Sequence, residues 1–105
     1  MNRQKFIEGM KSDVSFTTEE GTEILEKSIL KSGTNMKCVV TMEEFAELTQ
    51  EVSKYLRGEG DRYALLEEMA DVYLCLCNLG MIFGITDDEF QKAIDVKLLR
   101  EKERL

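Results

Sequence analysis

The chain has 105 residues, 43 % apolar and 33 % charged, with no proline and no histidine. These proportions describe one globular, helix-forming domain and exclude a disordered segment. The formal net charge of −7 excludes the basic surface that nucleic-acid polymers or anionic membranes need, although a small phosphorylated ligand stays open because a bound metal would neutralise its site.

Residues 1–16 show weak periodicity and are expected to be loose, and the mixed, polar Met1–Met10 does not read as a signal peptide. A first helix is predicted from Thr17 or Thr18, where Thr17 and Glu20 form a capping box. It carries Ile24, Leu25, Ile29 and Leu30 and stops near Gly33, before a turn through Thr34 and Asn35. A second helix is predicted over about Met36 to Arg57, ended by Gly58 and Gly60, with Phe45, Leu48, Val52, Tyr55 and Leu56 as its apolar stripe. At about 100° per residue, Glu44, Glu47 and Glu51 fall along one edge of that stripe.

Asp61 caps a third predicted helix, which reaches Phe83 and ends at Gly84. Beyond Glu68 its surface is apolar on nearly every side, which a chain this short can satisfy only with a second subunit. Its apolar run from Met69 to Phe83 contains Asp71 and Asn78 and is shorter than the ~20 residues of a membrane span, so the expectation is a soluble, cytoplasmic protein. Thr86 and Glu89 form a capping box for a fourth helix running to the C-terminus, with Phe90, Ile94 and Leu98 as its stripe and Lys97, Arg100 and Arg104 along one edge. Cys75 and Cys77 point to nearly opposite faces of their helix, so with Cys38 they read as free thiols. The expected architecture is all-α: residues 1–105 as a single domain, a four-helix bundle completed by homodimerisation.

The chemistry lies in two acidic motifs, Glu44-Phe45-Ala46-Glu47 and Glu68-Met69-Ala70-Asp71. Each sets two carboxylates at i and i+3, on one side of a helix. Taken singly, Glu44, Glu47 and Glu68 also suit a solvated helix edge, with Glu47 and Glu51 pairing to Lys54. Asp71 is harder to place, because it sits mid-helix among apolar residues, where an unpaired carboxylate costs on the order of several kcal/mol. It needs a proton, a metal or a salt bridge, with Lys97 as the candidate cation. Two antiparallel helices can aim all four carboxylates at one point. Such an all-oxygen set suits Mg²⁺ or Mn²⁺, and the lack of histidine disfavours softer metals. Lys97 and Arg100, with Lys54 and Asn78, are the candidate substrate contacts, and phosphate oxygens are their natural partners.

On these residues the chain resembles the MazG-like branch of the all-α nucleoside triphosphate pyrophosphohydrolases. The resemblance rests on Glu44-x-x-Glu47 followed by Glu68-x-x-Asp71, on "EEFAELTQEVSKYLRGEGDRYALLEEMADVY", and on "IFGI" and "VKLLREKERL"; it covers roughly residues 36–105. It implies a MazG-like helical bundle assembled as a homodimer or a dimer of dimers. It also implies Mg²⁺ on Glu44, Glu47, Glu68 and Asp71, and hydrolysis of a nucleoside triphosphate to the monophosphate and pyrophosphate. Glu47, or a neighbour such as Glu43, would orient or deprotonate the water. Phosphoribosyl-ATP pyrophosphohydrolase is the nearest alternative, with a non-catalytic nucleotide- or protein-binding helical dimer as a third. The chain has no tryptophan, so the base pocket of tryptophan-rich relatives is not carried over.

Overall fold

A computed structural model describes residues 1–105 and contains five helices and no strand. They are α1 (Arg3–Met10), α2 (Thr18–Ser32), α3 (Thr34–Leu56), α4 (Arg62–Phe83) and α5 (Asp87–Glu103). The all-helical class therefore stands, but the expected count of four does not, because the segment expected to be loose contains α1. Asn2 caps that helix through its side chain, which accepts from the Lys5 N–H. Phe6 and Ile7 are half-buried, and Arg3 Nη1 reaches Glu67 at 2.7 Å and the Tyr63 carbonyl at 3.2 Å. Contacts to α4, far away in sequence, thus hold a turn-rich segment that its own periodicity does not.

The other boundaries follow local chemistry. Thr17 and Glu20 close both bonds of the capping box at the start of α2. Gly33 alone separates α2 from α3, so Thr34 and Asn35 belong to the helix and not to a longer turn. Asp61 caps α4 through the Tyr63 N–H, and Thr86 caps α5 through the Glu89 N–H. Gly84 ends α4 in the left-handed region at φ 68°, which releases its N–H and that of Ile85 to the Gly80 carbonyl.

α3 and α4 form an antiparallel hairpin that makes up the body of the molecule; α2 and α1 lean on it, and α5 packs on no other helix to a comparable extent. The hairpin's turn is tight at Gly60, where a Cβ would lie 2.7 Å from Tyr55 Cα.

Only Thr41, Ala64, Cys75 and Asn78 are buried. The accessible surface is 8479 Å², whereas a compact chain of 12.1 kDa exposes about 6,000 Å². The radius of gyration, 15.9 Å, likewise exceeds the ~13 Å of a compact chain of this length. Many large apolar side chains are part of the exposed surface. On α4, Met69, Tyr73, Leu76 and Phe83 stand exposed at alternating four- and three-residue steps, with Gly80 filling the remaining position. That is the spacing of a helix seam that packs on another helix.

Candidate metal centre

The hairpin brings the two acidic motifs together. Glu44 on α3 and Glu68 and Asp71 on α4 each offer a carboxylate oxygen, and the three oxygens lie within 4.8 Å of one another. All three residues are half-buried. One turn back along α3 and one turn on along α4 lie Thr41 and Cys75, both buried. Thr41 Oγ donates to the Lys37 carbonyl at 2.9 Å.

No cation neutralises them. Asp71 makes no ion pair with Lys97 or with any other basic residue, so the salt bridge that its sequence context allowed is not formed. Oε2 of Glu44 and Oε2 of Glu68 are buried and have no hydrogen-bond donor. Burial, reinforced by the charges of Asp71, Glu47 and Glu68, pushes the Glu44 carboxyl up to about 7. Burial also raises Glu68, with the charges of Glu47 and Asp71 adding to it.

Glu47 lies outside the three-oxygen cluster and is exposed, yet close enough for its charge to act on both Glu44 and Glu68. It therefore stands at the mouth of the site. Glu43 is exposed beside it. Glu51 is half-buried and paired with Lys54 at 3.3 Å, the local pairing expected for a helix edge. Lys54 is about 15 Å along α3 from Glu44 and so is not brought to the cluster. Asn78, two turns beyond Asp71 on α4, is buried, and its Oδ1 has no partner. Lys97 and Arg100 are on exposed α5, apart from the carboxylates and unpaired; Arg104 binds Glu101 at 2.9 Å.

The sequence did not point to Arg3, Glu67 or Thr41. Glu67 is adjacent to Glu68, and its side chain is 13 % exposed and held by Arg3. Only the folded chain brings those two together, since 64 residues separate them. Thr41 did carry a signal: it lies one turn before Glu44 on the same helix edge.

No protein-family model, curated protein or solved structure matches this chain.

That geometry fits a hard divalent cation. Three oxygens converge, and two of the carboxyls have buried oxygens that no protein donor reaches. The nearby Cys75 thiol is pushed up by burial, which keeps it protonated and a poor ligand. A cation would offset the mutual repulsion that, with burial, raises Glu44.

Proposed function

We propose that the chain is a Mg²⁺-dependent nucleoside triphosphate pyrophosphohydrolase of the MazG-like type, assembled as a homodimer or a dimer of dimers. The observation that carries this reading is the convergence of Glu44, Glu68 and Asp71 on one point with donorless buried oxygens and no protein cation. Structural salt bridges do not leave carboxylates in that state, because each unpaired buried charge is costly.

Glu44, Glu68 and Asp71 would hold the ion, with the exposed Glu47 near enough for its charge to act on Glu44 and Glu68. Mg²⁺ or Mn²⁺ bound there would draw in triphosphate oxygens and lower the pKa of a water. Glu47, exposed at the mouth, would orient that water and take its proton as the oxygen attacks the α-phosphorus. The bond from that phosphorus to the bridging oxygen breaks, and pyrophosphate and the nucleoside monophosphate leave. Lys97 and Arg100 would balance charge on the phosphate oxygens. The buried Oδ1 of Asn78 is an acceptor for a ligand hydroxyl or amino group.

Self-association is supported by about 2,500 Å² of surface beyond that of a compact chain of this mass, an amount at the upper end of what obligate interfaces bury on each partner. The seam of Met69, Tyr73, Leu76 and Phe83 is the surface best suited to it.

The test is pyrophosphate release from a panel of ribo- and deoxyribonucleoside triphosphates and phosphoribosyl-ATP, with and without Mg²⁺. Turnover of at least one triphosphate, lost by about a hundredfold or more in Asp71→Asn and Glu47→Gln, is expected. Turnover of phosphoribosyl-ATP alone would move the assignment to that substrate. Full activity in both variants would refute the site. Metal-dependent stabilisation with no product from any nucleotide would mark a binding module.

A further inference from the structure

We propose that Arg3 is a positioning residue for the carboxylate centre: by holding Glu67, it keeps that side chain off the cation and leaves coordination positions open. This role deepens the metal reading proposed above and rests on it.

Glu67 is the acidic residue best placed to join the cluster. It adjoins Glu68 and precedes Asp71 by four residues, a spacing that stacks two side chains on a helix with Cβ atoms about 5–6 Å apart. Its side chain is 13 % exposed, and its charge is near enough to act on Glu68. Yet the convergent oxygens come from Glu44, Glu68 and Asp71 alone.

The difference lies in what Glu67 is tied to. Its Oε2 accepts from Arg3 Nη1 at 2.7 Å, and the same nitrogen donates to the Tyr63 carbonyl at 3.2 Å. Tyr63 and Glu67 are one turn apart on α4, so the guanidinium spans that turn and fixes the carboxylate against it. Arg3 is the one cation paired with Glu67, and it comes from the first turn of α1. The other oxygen, Oε1, is buried without a donor, the same state as Oε2 of Glu44 and Oε2 of Glu68. An acidic oxygen in that state gains from any cation that it can reach. Once Arg3 lets go, the nearest place for that gain is beside Glu68 and Asp71.

A fourth carboxylate would change what the centre can do. Mg²⁺ demands near-octahedral geometry, and a site that takes up phosphate oxygens keeps several of its positions as water. Three carboxylates leave such positions free. A fourth from the same helix would fill one of them and add a negative charge that repels a polyanion. Arg3 thus weakens cation binding and keeps the coordination open, a second-shell contact that decides which ligands the ion meets.

The test titrates Mn²⁺ into the full-length chain. Affinity is read by electron paramagnetic resonance, and the waters on the bound ion by water-proton relaxation, so neither readout needs turnover. Arg3→Ala, and Arg3→Met with its apolar stem retained, should each bind Mn²⁺ about tenfold more tightly than the wild type, with one water fewer on the ion. Glu67→Gln added to either should restore the wild-type water count, and Arg3→Lys should keep it. Weaker binding in both Arg3 variants would mean that the ion pair only braces the helix. Tighter binding with an unchanged water count would mean that only the charge of Arg3 is felt. Either result, or a lowered count that persists with Glu67→Gln, would overturn the proposal while leaving the metal centre in place. No saturable Mn²⁺ binding in the wild type would instead overturn the metal reading, and this role with it.

Discussion

At the scale of single residues, Glu44 is the most informative side chain. Its carboxyl is pushed up to about 7, chiefly by burial and then by its acidic neighbours. A carboxyl raised in the folded state holds its proton there after the unfolded chain has lost it. Its contribution to stability is therefore full below the ordinary value of 4.5 and is lost as pH rises through about 7. Glu68 is shifted in the same direction. The metal-free protein should melt at a lower temperature at pH 8 than at pH 5, and Glu44→Gln should flatten that difference while leaving metal-free stability equal or higher. Calorimetric melts of both proteins across this range check it; a slope unchanged by the substitution would contradict the assignment. Saturating Mg²⁺ at pH 8 should raise the wild-type melting temperature by on the order of 10 °C, and Glu44→Gln should lose most of that rise.

At the scale of elements, the hairpin of α3 and α4 turns two sequence motifs into one site, and its tight turn is a point of control. Gly60→Ala would drive a methyl into the Tyr55 backbone, so it should cost about 1–3 kcal/mol, measured by urea unfolding, and should weaken metal binding by shifting α4 against α3. Wild-type stability in that variant would mean that the turn relaxes freely. α1 offers a milder case: Arg3→Ala removes the ion pair to the largely buried Glu67 and leaves that carboxylate beside Glu68 without its cation. Urea unfolding should show a loss of about 1–3 kcal/mol. What was legible in the sequence follows the same division. The starts of α2, α4 and α5 were readable because Thr17, Asp61 and Thr86 act within their own first turns. The meeting of Glu44, Glu68 and Asp71 was readable because i,i+3 spacing and a short turn leave two antiparallel helices few other registers. α1 was not readable, since its hold is the contact between Arg3 and Glu67 across 64 residues. Nor was the exclusion of Glu47 from the tight cluster, because helical phase gives an edge but not a depth.

At the scale of the whole molecule, the proposed homodimer is open to a direct test. Four residues are buried and 8479 Å² is exposed, a small core for five helices that the proposed partner would enlarge. Sedimentation should show a species of at least twice the 12.1 kDa chain mass. A charge placed in the α4 seam, as Leu76→Glu, should dissociate it and lower stability together, because the monomer lacks the burial to stand alone. A stable monomer of wild-type sequence at micromolar concentration would contradict this. The central claim, that two acidic motifs are halves of one divalent-cation site, is met most directly by titrating Mn²⁺ into the protein and following free ion by electron paramagnetic resonance. Saturable binding to every chain is expected in the wild type, weakened tenfold or more in Asp71→Asn and in Glu68→Gln. Equal affinity in all three proteins would contradict it.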